Sequence, residues 1–177
     1  MSDKYAHVER ERRFLLAGPP PPDVVTATRR ITDRYLDGTR LRLRIMADLA
    51  EPEPVRKLTQ KIPAEKPGPV QGLITTTYLS PGEYQVLAVL PAAVLTKTRL
   101  SVPPLGIDLF DGPLLGLVLA EVEFDTDEAA LAFQPPGAAV AEVTGDPRFT
   151  GGRLARAGRA ELLDWLAEYG LEPGEPA

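Results

Sequence analysis

The 177-residue sequence contains no cysteine. Disulfides, cysteine-ligated zinc and thiol catalysis are therefore excluded. It contains one histidine, His7, which rules out multi-histidine metal sites and leaves a Ser-His-Asp triad a single candidate base. Any metal must be held by carboxylates, a donor set that favours the hard ions Mg²⁺, Mn²⁺ or Ca²⁺. A basic excess is missing too: 20 Lys and Arg stand against 25 Asp and Glu, for a formal net charge of −5. A nucleic-acid partner would call for the opposite balance, to neutralise phosphates. No apolar run approaches the length of a membrane span, and the amino-terminal MSDKYAHVERER has no apolar targeting core. A cytoplasmic protein with neither nucleic-acid nor membrane partners is expected.

The composition is otherwise that of an ordinary globular chain, with 44% hydrophobic and 25% charged residues and a length that fits one domain over 1–177. Thirteen of the nineteen prolines gather at Pro19–Pro22, Pro52–Pro54, Pro63–Pro69, Pro103–Pro104 and Pro135–Pro136, and these clusters read as loops. Between them the sequence alternates with period two, predicting strands near 6–16, 31–36, 40–47, 55–62, 71–79, 96–102, 106–110 and 117–125. Ser80-Pro81 caps a short helix to about Leu90, and Thr126-Asp127-Glu128 opens another. The residues 154–169, with Leu162, Leu163, Trp165 and Leu166, form an amphipathic helix ended by Gly170. DVVTATRR after the first proline run reads as a helical turn or two. The class is α+β and β-dominated, with strands enough to close an eight-stranded antiparallel β-barrel and a few helices flanking it.

The charged residues lie on strand faces. In VERERR, Glu9, Glu11 and Arg13 share one face and Arg10 and Arg12 the other, so neither face is apolar in the middle. An ordinary half-buried strand has one oily side. Arg42 and Arg44 share a face, as do Lys57, Thr59 and Lys61, then Lys97 and Arg99, then Glu121, Glu123 and Asp125; Asp108 lies between Ile107 and Leu109. Two arrangements produce this pattern: a solvent-facing lattice of cross-strand ion pairs, or strands that line a charged cavity. In the second, so many cations in a confined volume repel one another unless a polyanion compensates them. The pairs Glu9/Glu11 and Glu121/Glu123 hold carboxylates about 7 Å apart, a spacing suited to a divalent cation shared between two strands. Cations with a few metal-binding carboxylates suit a triphosphate and its metal.

These residues resemble the CYTH, or triphosphate tunnel metalloenzyme, family. Its E-x-E-x-K signature stands as Glu9-Arg10-Glu11-Arg12-Arg13, with arginine in the lysine position. Tyr35-Leu36, then LRLR at Leu41–Arg44, KLTQK at Lys57–Lys61, KTR at Lys97–Arg99, DLFDG at Asp108–Gly112, LAEVEF at Leu119–Phe124 and VTGDPRF at Val143–Phe149 follow in the family order. The resemblance implies an eight-stranded tunnel open at both ends. It implies that Glu9, Glu11, Glu121 and Glu123 bind Mg²⁺ or Mn²⁺, with Asp108 completing the metal or the lysine network. Arg13, Arg42, Arg44, Lys57, Lys61, Lys97 and Arg99 would grip phosphate oxygens, with Tyr35 and Arg148 as further substrate contacts and Glu9, Glu11 and Lys97 in the catalytic set.

Three positions depart from the family pattern. Arg13 keeps the charge of the usual lysine but is not deprotonated, so a proton-transfer role there is lost. QGLITTTYL presents Thr75 and Thr77 where carboxylates of the fifth strand are expected, and Gly151-Gly152 stands near the family's carboxy-terminal asparagine. The activities implied are hydrolysis of the terminal phosphoanhydride of a triphosphate, with inorganic tripolyphosphate ahead of a nucleoside triphosphate, or cyclisation of ATP as in class IV adenylate cyclases. A non-catalytic binder of polyphosphate or nucleotides is the alternative from another class. The sequence leaves room for a homodimer. His7 and Trp165 read as strand-end and core residues, and Arg153, Arg156 and Arg159 as a solvated helix face.

Overall fold

The computed structural model describes residues 4–66 and 68–172. Its strands are β1 (His7–Leu16), β2 (Ala27–Leu36), β3 (Leu41–Asp48), β4 (Val55–Pro63), β5 (Val70–Tyr78), β6 (Ala92–Val102), β7 (Leu105–Phe110), β8 (Val118–Glu123) and β9 (Ala139–Glu142). Eight of them close an antiparallel barrel in the order β5-β4-β3-β2-β6-β7-β8-β1, with β1 pairing back to β5 and β9 added along the end of β1. Strand β1 is shared out along its length: residues 7–10 pair with β5, 11–15 with β8 and 14–16 with β9. A bulge between Glu9 and Arg10 turns the strand at the change of partner. Gly72 opposes that bulge with φ 136°, and a Cβ there would meet the Ile62 carbonyl oxygen at 2.0 Å. Only glycine lets β4 and β5 approach β1 so closely at this corner.

The helices are α1 (Pro81–Ala88), α2 (Asp127–Ala132), α3 (Gly151–Leu154) and α4 (Arg159–Ala167). Helix α1 begins as its sequence predicts, with Ser80 Oγ accepting from the Glu83 amide and the Glu83 carboxylate accepting from the Ser80 amide at 2.7 Å. The helix expected over 154–169 is shorter, α4 alone, with the short α3 ending at Leu154. The chain turns at residues 155–158 and restarts where the Gly158 amide donates to Glu161 Oε2 at 3.0 Å. The helical reading of DVVTATRR holds only for a three-residue 3₁₀ turn, Pro22–Val24, after which β2 begins four residues ahead of the predicted strand.

The outer face of β1 explains why VERERR has no oily side. Arg10 is paired with Asp127 of α2, and Arg12 forks onto Glu142 of β9 while donating to the carbonyls of Ala130 and Phe133. Beside them Phe14, Ile107, Val118, Ala120 and Val122 form an apolar cluster on the outside of the barrel, covered by Phe124 and Phe133. A second cluster fills one end of the interior: Leu15, Leu95, Phe110 and Leu119 meet Phe149, Leu154, Leu162, Trp165 and Leu166 of the carboxy-terminal segment. This end is occupied by apolar side chains, where the resemblance implies an opening; the wide mouth lies at the other end.

Tyr35 lies between the charged interior and this cap. Its hydroxyl points at Gly151, where a Cβ would come within 1.9 Å. Gly151→Ala is therefore expected to force Tyr35 aside and to lower stability by about 1–3 kcal/mol. Thermal melts check this, and Tyr35→Phe in the same background should recover part of the loss.

Candidate active site

Strand register decides which charges meet. The pairings Asp33↔Arg44, Tyr35↔Arg42, Arg44↔Lys57 and Arg42↔Thr59 place these side chains on one face of β2, β3 and β4. Arg99↔Asp108, Arg13↔Glu121 and Glu11↔Glu123 do the same on β6, β7, β8 and β1. All lie on the inner face. The charged sets line a cavity, and the alternative of a solvent-facing lattice does not hold for them.

The cations in this cavity are not left to repel one another. Asp33 is wholly buried, with Oδ1 accepting from Arg44 Nε at 2.6 Å and Oδ2 from Arg44 Nη2 at 2.8 Å; Arg42 Nε lies 3.7 Å away. Asp108, also wholly buried, takes the same fork from Arg99, at 2.7 and 2.6 Å, and accepts from Lys97 Nζ as well. Glu121 pairs with Arg99, and Glu9 with Lys61 at 2.8 Å. Fixed carboxylates thus supply much of the compensation that the sequence reading assigned to a bound polyanion. Asp33 escaped that reading although it shares the β2 face with Tyr35, because only the register shows Arg42 and Arg44 across from it.

The glutamates are unequal. Burial and the neighbouring Glu121 carboxylate push Glu11 up to about 8, against the pull of Lys61 and Arg13. Burial would raise Glu121 as well, but Lys97, Arg99 and Arg13 outweigh it and hold Glu121 well below the ordinary carboxylate value. Burial also opposes ionisation of Asp33, and the bonds from Arg44 overcome it, leaving its carboxyl lowered. Glu123 is exposed at the mouth. Among the described residues no three acidic or histidine side chains gather closely enough to hold a metal by themselves. Asp108 sits between Lys97 and Arg99 rather than among the glutamates, so of its two expected places it takes the lysine network.

The mouth is a hollow of about 500 Å³ lined by His7, Glu9, Lys57, Ile74, Thr76, Tyr78 and Glu123. Lys57 Nζ lies 5.1 Å from the centre of the Tyr78 ring. On β5 the inward residues are Ile74, Thr76 and Tyr78, by their pairing with Lys61, Thr59 and Lys57. Thr75 and Thr77, expected to stand in for carboxylates of the cavity, alternate to the outer face.

Three other expected contacts sit elsewhere. The Arg13 guanidinium turns away from the mouth, donating to the carbonyls of Phe149 at 2.9 Å and Thr144 at 3.0 Å and to Gln71 Oε1 at 2.7 Å; its Nε lies 3.5 Å from Glu11. It forms part of the wall of a separate hollow of about 310 Å³ bordered by Gln71, Thr144 and Thr150. Arg148 is bound to Asp146 and Glu168 and fastens the carboxy-terminal segment to α4. The 3₁₀ turn Pro147–Phe149 sends Phe149 into the core and so directs Arg148 outward. Tyr35 has its hydroxyl buried against Gly151, away from the mouth, and burial raises its pKa.

The sequence matches no protein-family model and no curated protein. Among solved structures, the inorganic triphosphatase NE1496 is similar with a TM-score of 0.55 and 25% identity, over 85% of this chain and 96% of that one. A structure described as the hypothetical protein NE1496 gives 0.54 and 27%, over 85% and 99%. The PH1819 protein from Pyrococcus horikoshii OT3 shares the fold with a TM-score of 0.51 and 15% identity, over 94% and 93%. A closed barrel of this order, lined with charge as the motifs require and superposable on these neighbours along nearly their whole length, identifies the chain as a protein of the CYTH, triphosphate tunnel, fold.

Proposed function

We propose that the protein hydrolyses the terminal phosphoanhydride of a triphosphate, with tripolyphosphate as first substrate and nucleoside triphosphates as second, in a reaction dependent on Mg²⁺ or Mn²⁺. The observation that carries this reading is the convergence of Arg42, Arg44, Lys97 and Arg99 opposite the Glu11–Glu121 pair inside one barrel. The likeness to a protein named inorganic triphosphatase supports it. The hollow at the mouth, about 500 Å³ and lined by Glu9, Lys57 and Glu123 rather than by these four cations, falls within the usual range of small-molecule sites, about 300–1,000 Å³.

The carboxylates fit a hard divalent cation. Mg²⁺ is commonly held by one or two protein carboxylates together with substrate phosphates and water, and the buried Glu11 and half-buried Glu121 are two carboxylates in mutual repulsion. Glu11 and Glu121 would hold the ion, with Glu9 nearby. Bound there, it would supply Lewis-acid polarisation of phosphate oxygens. The arginines and lysines bind and orient the chain of phosphates, and the fixed carboxylates Asp33 and Asp108 keep them aimed before substrate arrives. Hydrolysis forms a P–O bond from water to the terminal phosphorus and breaks the bridging P–O bond, giving orthophosphate and diphosphate. The water's proton ends on the phosphate products or in solvent. No covalent intermediate is needed.

A second reading, binding without turnover, is favoured by one observation: the inward residues of β5, Ile74, Thr76 and Tyr78, include no carboxylate. A panel of tripolyphosphate and ATP, each with Mg²⁺ and with Mn²⁺, separates the readings by product. Orthophosphate from tripolyphosphate is expected. Cyclic nucleotide from ATP would point to cyclisation, and saturable binding with no product would point to the binder.

A further inference from the structure

We propose that Asp33 is a positioning residue for substrate phosphates: its buried carboxylate fixes the Arg44 guanidinium toward the cavity. The inference rests on the triphosphate reading and adds to it a residue that no motif marks. Asp33 lies opposite Arg44 on β3 and opposite Leu95 on β6, so its directly opposed partners are one cation and one apolar side chain, with Lys97 two residues further along β6. Its two oxygens hold Arg44 by Nε and Nη2. Among the described residues no hydrogen bond engages Arg44 Nη1, which leaves that end of the fork for a ligand. Across the barrel Asp108 holds Arg99 through the same two nitrogens, again from the directly opposite residue of the neighbouring strand. A carboxylate that grips one edge of a guanidinium restricts its rotation and leaves the other edge free for a phosphate oxygen. Two such pairs facing one cavity, each with a wholly buried aspartate, are more than stability calls for, because buried ion pairs are seldom net stabilising. They are what preorganised phosphate binding needs.

The test is calorimetric binding of tripolyphosphate without divalent metal, at high ionic strength, where the change in net cavity charge is largely screened. Asp33→Asn is expected to weaken binding about tenfold, and to weaken it little further in an Arg44→Ala background, because Asp33 acts through Arg44. Asp33→Glu keeps the charge but cannot place both oxygens on Nε and Nη2, and is expected to lose affinity as well; it serves alone if Asp33→Asn does not fold. Wild-type affinity in folded Asp33 variants, or a loss of equal size with and without Arg44, would overturn the proposal. Failure of the wild-type protein to bind tripolyphosphate would instead count against the triphosphate reading itself.

Discussion

Replacing Glu11 by glutamine is expected to reduce phosphate release from tripolyphosphate by on the order of 10²-fold or more, and also to change how stability responds to pH. Glu11 is pushed up to about 8 in the folded protein, by burial and by Glu121, from an ordinary 4.5. The folded state therefore binds this proton more tightly than the unfolded chain. The resulting stability is fully present below about pH 4.5 and is lost as pH rises through about 8. For the metal-free protein the loss is on the order of 2 kcal/mol once coupling to Glu121 is allowed for, or about 4–8 °C in Tm. In the Glu11→Gln variant this fall between pH 5 and pH 8 should be largely absent. Mg²⁺ should restore Tm at pH 8 in the wild-type protein and not in the variant. Melts at the two pH values, with and without Mg²⁺, check all three statements. Glu123→Gln, at the exposed mouth, should reduce the rate less than tenfold.

The second large effect is expected at Asp108. Asp108→Ala leaves the buried Lys97 without its carboxylate and the half-buried Arg99 with Glu121 alone, and removing one partner of a buried pair costs about 3–5 kcal/mol. In a domain of this size the Tm should fall by about 10 °C or more. The milder Asp108→Asn separates its two expected roles. If Asp108 serves the cations, the variant loses affinity for tripolyphosphate but keeps the wild-type Mg²⁺ dependence of the rate. A metal-ligand role would shift the Mg²⁺ concentration needed for half-maximal rate.

Much of the barrel was legible because its strands alternate sharply. Leu-Arg-Leu-Arg over 41–44 and the E-x-E pairs carry their face assignment in the sequence itself, and the eight predicted strands each match one of the barrel. The ninth escaped because AVAE is four residues long and, among the described residues, pairs only with the end of β1. Apolar spacing runs on across residues 155–158 and extends the expected helix back to 154, while the capping of Gly158 by Glu161 starts it at Arg159. The candidate site was less legible than the fold. Face patterning puts Arg42 and Arg44 on one strand face and Lys97 and Arg99 on another; the closed barrel turns both faces inward, and only the register shows that Asp33 and Asp108 grip them. Motif likeness assigned Arg13 and Arg148 to substrate. Their guanidiniums are instead committed to backbone carbonyls and Gln71 in the first case and to Asp146 and Glu168 in the second. Such commitments depend on the path of the carboxy-terminal segment, which spacing along the sequence does not encode.

The central claim joins the inward charges to triphosphate hydrolysis, and ³¹P NMR of tripolyphosphate incubated with the protein and Mg²⁺ or Mn²⁺ tests it most directly. The account predicts that the terminal and central resonances decay together while orthophosphate and diphosphate appear in equal amounts, and that Glu11→Gln suppresses the change. An unaltered tripolyphosphate spectrum with wild-type protein, across metal concentrations and with binding established separately, would contradict it.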